Sequence, residues 1–151
     1  MANRIAAVTA LHAVLALAGC GEQKDGVPAA CSDGPQVISR ALERAPAPVT
    51  LGEQTRLSTC ISRARTDAEL QTIGSSLLSV ADQLAARAGT DEVAALRLGY
   101  LVGATRRGVR ASPGLAVQMG RRVEQSTRMD GASAAARAAL RRGLQAGEAS
   151  G

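Results

Sequence analysis

Aromatic side chains are almost absent from this chain of 151 residues, which contains no Trp, no Phe and a single Tyr, Tyr100. A hydrophobic core must therefore be built from Leu, Val, Ile, Met and many Ala side chains. β-Sheets favour β-branched and aromatic residues, so this composition argues against a sheet. It predicts an all-α fold, a small bundle of about five to six helices. The aromatic platforms on which nucleic-acid bases stack are missing as well, so we expect no nucleic-acid partner.

Catalytic signatures are equally scarce. The only histidine, His12, lies in an apolar stretch near the amino terminus, and there is no Gly-rich phosphate loop, G-x-S-x-G or H-E-x-x-H motif. Asp91 and Glu92 form the only adjacent acidic pair, but neighbouring helical side chains diverge and suit a helix amino terminus better than a shared substrate. We therefore expect no catalytic residue, no metal site and no cofactor. An enzyme built from distant carboxylates remains the third-ranked alternative.

The amino terminus has the pattern of a secretory leader. Arg4 precedes an apolar run over residues 5–17, which is shorter than the roughly 20 residues of a membrane span. The run ends in Leu17, Ala18, Gly19 and Cys20, and these four residues resemble the lipobox of bacterial lipoprotein signal peptides. An ordinary leader cut near Ala18 is the alternative.

The lipoprotein resemblance implies a membrane anchor. In that family the thiol at the position of Cys20 receives a diacylglyceryl group, cleavage follows Gly19, and further acylation such as palmitate completes the anchor. It implies an exported protein on the extracytoplasmic face of the cell membrane or outer membrane. The expected organisation is a signal peptide over 1–19, a flexible tether over 20–30, a helical domain over 31–147 and a disordered tail over 148–151.

With Cys20 lipidated, Cys31 and Cys60 remain. An even cysteine pair outside the reducing cytosol usually forms a disulfide. A bridge closing a loop of about 30 residues contributes roughly 3.5 kcal/mol in the chain-entropy model. The spacing fits neither a C-x-x-C redox motif nor a zinc site, so we expect a structural disulfide.

Positive charge is concentrated in the second half of the chain. Residues 96–151 contain ten basic and three acidic side chains, whereas residues 20–95 contain seven basic and ten acidic ones. Either these are solvated helix faces of an arginine-rich protein, or they form a basic face for an anionic lipid or cell-wall polymer. The candidate contacts for such a polymer are Arg106, Arg107, Arg110, Arg121, Arg122, Arg137, Arg141 and Arg142.

Apolar periodicity and capping residues predict the helices. The predicted helices cover about 35–44, 55–65, 67–88, 91–107, 113 to a turn at Asp130, and 132–144, with a connector over 49–54. The fourth helix is apolar nearly all round, so we expect it to be central. Its Ala95, Gly99 and Gly103 recur every four residues and predict a close helix crossing within the bundle. The last helix, rich in alanine, should pack least firmly.

Residues 31–147, with residues 98–104 as their most distinctive stretch, are similar to small helical envelope lipoproteins of high-GC bacteria. That resemblance implies a fold and an anchor but no activity. The leading expectation is a membrane-anchored, non-catalytic helical lipoprotein that binds another component of the cell envelope. The alternative is an arginine-rich binder of anionic lipid or cell-wall polymer.

The anchor gives the first testable prediction. The intact mass of the protein purified from its own membranes should correspond to a chain that begins at Cys20 and carries fatty acyl groups. A mass that includes Met1 and an unmodified Cys20 would contradict the lipoprotein interpretation.

Overall fold

The structure, a computed structural model, describes residues 26–52, 54–112 and 114–151, which form an all-α bundle with one small hairpin. The predicted signal peptide, Cys20, the first half of the tether and Pro113 lie outside the described residues. Two antiparallel strands, β1 (Thr50–Leu51) and β2 (Thr55–Arg56), replace the expected connector. The six helices are α1 (Pro35–Ala41), α2 (Leu57–Arg63), α3 (Asp67–Ala88), α4 (Glu92–Val109), α5 (Leu115–Gln125) and α6 (Ala134–Ser150).

Helix α4 is the centre of the bundle and packs against α2, α3, α5 and α6. Most of its apolar residues are buried, in agreement with the central position that the sequence predicts; Leu98, Tyr100 and Leu101 have no exposed surface, whereas Val93 in the first turn is exposed. The chain runs along α3, returns along α4 and reverses again in α5. Because α6 begins beside the α3–α4 turn, where the Ser133 amide donates to the Gly89 carbonyl, α6 runs parallel to α4.

The α4–α6 contact is formed by backbone meeting backbone. A Cβ atom on Gly99 would overlap the carbonyl oxygen of Leu140, and one on Gly103 would overlap that of Leu144. The relation is reciprocal, because a Cβ on Gly143 or Gly147 would overlap a carbonyl oxygen of α4. The predicted close crossing is therefore confirmed, and glycines on both helices create it.

Helix α6 corrects two expectations. It was expected to be loosely packed and to end near residue 144, with a disordered tail over 148–151. Instead it continues to Ser150, Gly151 is buried, and the Gly151 carbonyl oxygen accepts a 2.6 Å hydrogen bond from Ser58. Glycine has no side chain and does not contribute to an apolar stripe. The apolar pattern of α6 therefore did not predict the close contact with α4 that Gly143 and Gly147 permit.

Helix boundaries follow the capping residues with a few differences. Thr66 forms a capping box with Glu69, whose pKa is held below its ordinary value by the backbone amides of Arg65 and Thr66. Asp91 caps α4, and its carboxylate accepts hydrogen bonds from the Val93 and Ala94 amides. The predicted end of this helix at about residue 107 is two residues short, because α4 continues through Gly108 to Val109; a Cβ on Gly108 would lie 2.8 Å from the Ser58 carbonyl oxygen. Helix α5 begins later than expected, after Gly114 at a φ of 80°.

The predicted disulfide between Cys31 and Cys60 is present, with 5.5 Å between the Cα atoms. It joins the short 3₁₀ segment Ala29–Ser32 to α2. Helix α2 in turn packs on the carboxyl-terminal end of α4, where the Ser112 hydroxyl donates to the Ile61 carbonyl. The chain therefore enters the bundle at the end where α4 and α6 finish.

The glycine contact gives the second prediction. Gly99→Ala should lower the free energy of unfolding by about 3 kcal/mol, because rigid backbone on α6 must move away from the added methyl group. Gly89→Ala is the matched control, since Gly89 has helical dihedral angles and a Cβ there would meet nothing within 4 Å. Urea denaturation of both variants measures the difference. Equal stability of the two would contradict the close backbone contact.

Candidate interaction surfaces

The eight arginines that the sequence singles out do not form one face. Arg121 and Arg122 of α5 face different neighbours, since Arg121 lies on the α4–α5 side and Arg122 on the α3–α5 side. On α6, Arg137 and Arg141 share a face by their four-residue spacing, whereas Arg142 lies about 100° away. The remaining three, Arg106, Arg107 and Arg110, are on the last two turns of α4.

The α4 arginines bind other parts of the same protein. Arg106 forms ion pairs with Glu124 of α5 and, at 3.4 Å, with Glu148 of α6. Arg110 also lies 3.4 Å from Glu148. Arg107 donates to the carbonyl oxygens of Glu148 and Ala149, in the last turn of α6 where helix carbonyls lack partners. These three side chains connect α4 to its neighbours, and this accounts for part of the basic second half.

A groove between α3 and α5 has a lining that is more apolar than polar. It has a volume of about 440 Å³, and its apolar lining is Leu70, Leu78, Leu115 and Met119. Gly74 leaves room beneath it, because a Cβ there would lie 3.0 Å from Met119 Sδ. Leu115 is 43% exposed because it lies at the groove mouth in the first turn of α5.

The two ends of this α3–α5 groove carry opposite charge. The helices are parallel, since Gly74 is beside Met119 and, further along, Ser126 is beside Asp82. Asp67 therefore lies at the end near Leu115, and Arg122 lies toward the other end, near Leu78. The groove combines an apolar floor with an acidic and a basic end.

A polar recess of about 540 Å³ lies beside the point where the described chain begins. Its lining consists of Pro28, Gln54, Thr55, Arg56, Thr59 and Arg63. Sequence reasoning missed this site because its two arginines are in the acidic half of the chain. Arg56 belongs to β2 and Arg63 to the last turn of α2, so no helical spacing in the sequence groups the two.

Tyr100 is a fully buried core residue of α4, and its hydroxyl has partners. The hydroxyl accepts a 2.9 Å hydrogen bond from the Val49 amide and lies 3.1 Å from Ser150 Oγ. Ser150 donates its own proton to the Ala146 carbonyl, so the Tyr100 hydroxyl donates to Ser150. The side chain thereby ties the loop before β1 to α4 and α6.

Comparison with known proteins identifies no relative: no family model, curated protein or solved structure matches the chain. Within residues 26–52, 54–112 and 114–151, no three His, Cys, Asp or Glu side chains are grouped so that they could hold a metal ion. In the same part of the chain, every helix is too short or too polar to cross a bilayer.

Tyr100 gives the third prediction. Tyr100→Phe should lower the free energy of unfolding by about 1–3 kcal/mol, because the buried Val49 amide loses its acceptor. Thr72→Val removes an exposed hydroxyl that bonds within α3 and should change stability by less than about 0.5 kcal/mol. Thermal and urea unfolding measure both. A Tyr100→Phe protein as stable as this control would show that the Val49 amide does not depend on the hydroxyl.

Proposed function

We propose that this protein is an exported, lipid-anchored and non-catalytic helical module that binds an amphipathic helix of another cell-envelope protein in the α3–α5 groove. The observation that carries the proposal is the exposed Leu115 at the mouth of an apolar floor. Among the described residues, the large apolar side chains that remain exposed are Leu115 and Val93, and Val93 lines none of the recesses.

The dimensions of the groove favour a helical occupant. Its α3 wall extends from Asp67 to Leu78, which is about 16 Å at 1.5 Å per residue. That length matches three turns of a partner helix. A partner with apolar residues at positions i, i+4 and i+7 would bury them against Leu70, Leu115 and Met119, as in other helix-in-groove complexes.

The charges at the groove ends favour one direction of binding. Asp67 is exposed at one end and Arg122 at the other. A partner helix with a basic residue at the Asp67 end and an acidic residue at the Arg122 end would place opposite charges together. Such rim charges contribute to specificity and association rate more than to affinity.

Two features support the exported location. The residues Leu17 to Cys20 match the lipobox pattern, and the Cys31–Cys60 disulfide belongs to an oxidising compartment. Two or more acyl chains bind a membrane firmly, so the module would need no further membrane-spanning element.

The fourth prediction tests the groove. A photocrosslinking amino acid in place of Leu115 should give a discrete adduct in intact cells, whereas the same probe in place of Val93, near the opposite end of the bundle, should not. Mass spectrometry of the adduct should identify a peptide with apolar residues at helical spacing.

Binding of that peptide, made synthetically, provides the quantitative measurement. Leu115→Asp should weaken its affinity by about 10-fold to 100-fold, the value of one buried leucine, and Val93→Asp should leave the affinity unchanged. Equal crosslinking at both positions, a captured segment without helical apolar spacing, or affinity insensitive to Leu115→Asp would each reject the α3–α5 groove as the binding site.

A further inference from the structure

The charges of the α3–α5 groove are complementary to those of a second copy of the same groove. Asp67 lies at the end near Leu115, Arg122 lies toward the other end, and both charged side chains are exposed. Among the described residues, neither of the two has a hydrogen-bond or ion-pair partner. A twofold rotation, the commonest symmetry of protein dimers, would bring the acidic end of each groove to the basic end of the other.

The apolar residues of the groove fit the same symmetry. The two copies would run antiparallel, so Leu115 of one copy would lie over the Leu78 end of the other. Leu115 is 43% exposed and Leu78 is half-buried, so both have apolar surface to bury. Every contact across a twofold interface is made twice. The pairing would therefore cover the exposed leucine of both copies.

The middle of the groove contains no charged side chain. A residue beside a twofold axis faces its own copy, so a charge at that position would meet a like charge. The residues midway along the two helices are Gln71, Gly74, Ser75 and Gln118, all of them uncharged. The exposed Gln118 amide both donates and accepts hydrogen bonds, so two copies of it can bond to each other.

The surface is small for a permanent interface. The groove wall from Asp67 to Leu78 is about 16 Å long, and two adjacent helices are about 20 Å wide. The footprint is therefore about 320 Å² on each copy, well below the roughly 800 Å² per partner of a standard interface. A contact of this size forms weakly and reversibly, so a partner helix that fills the groove could displace it.

We propose that the α3–α5 groove of the free protein is covered by the same groove of a second copy, in an antiparallel twofold dimer that the partner helix must displace. This inference rests on the proposed function and adds a regulation of the same site, because only one of the two occupants fits at a time. Lipid anchors on both chains are compatible with the dimer. With the twofold axis along the membrane normal, the two copies lie at the same distance from the bilayer. Confinement to a membrane raises the effective concentration of the chains, so crowding of the protein favours the covered groove.

The fifth prediction concerns self-association of the full chain, purified from membranes and studied by sedimentation equilibrium in a density-matched detergent. The unchanged chain should form dimers at concentrations up to about 1 mM, the range of a weak complex. Asp67→Arg and Arg122→Asp should each weaken dimerisation about 10-fold, because each puts two like-charged pairs across the interface. An equimolar mixture of the two variants should restore dimers, because the two arginines of one chain then face the two aspartates of the other.

Two control variants separate the groove from general effects. Arg121→Asp changes the net charge by the same amount as Arg122→Asp, but Arg121 lies on the α4–α5 side of its helix. It should leave dimerisation unchanged. Leu115→Asp should prevent dimerisation, whereas Val93→Asp should not. Circular dichroism of each variant establishes that it is folded.

A chain that stays monomeric over this concentration range, or a mixture of variants that does not restore dimers, would overturn the inference. An equal effect of Arg121→Asp and Arg122→Asp would also reject it, because net charge alone would then explain the result. These failures are distinct from failure of the proposed function. A monomeric chain with a Leu115 adduct to another protein retains the envelope partner and rejects the dimer. A dimer whose Leu115 adducts have only twice the mass of the chain retains self-association and rejects the envelope partner.

Discussion

The bundle depends on the direct backbone contact between α4 and α6. Four glycines, two on each helix, bring the carbonyl oxygens of one helix against the Cα atoms of the other. A core without Phe or Trp has few large side chains to bury. The close approach of the two helix backbones therefore supplies the dense van der Waals contact that large side chains would otherwise supply. The ion pairs of Arg106 and the hydrogen bonds of Tyr100 then hold the neighbours of α4 in the positions that this contact sets.

This central contact also determines where the interaction surfaces lie. With α6 on one side of α4, helix α5 is left to pack against α3 and α4, and its outer edge with α3 forms the apolar groove. The disulfide fixes the incoming chain to α2, at the end of the bundle where arginines collect. The mouth of the groove at Leu115 lies near the same end, and the groove extends from there along the side of the bundle.

Much of the fold could be predicted from local patterns. The all-α class, the buried α4, the Thr66 cap and the cysteine pair all follow from periodicity, composition or capping chemistry. The close packing of α6 could not be predicted in this way. Gly143 and Gly147 permit it because they have no side chain, and a hydrophobic pattern contains no signal for an absent side chain. The sites were less predictable still. Leu115 is exposed because it lies at the start of α5. Arg56 and Arg63 line one recess together with Pro28, and only the folded structure brings these residues together.

The parallel arrangement of α4 and α6 affects how the chain reaches its folded state. The residues that meet are about 44 positions apart, as Gly103 and Gly147 illustrate, so the decisive contact is non-local and closes a long loop. In a growing chain α3 and α4 emerge before α6, so the glycine face of α4 at first lacks its cover. That face stays open to incorrect partners until α6 emerges, so a factor that shields it during synthesis would help the chain to fold correctly.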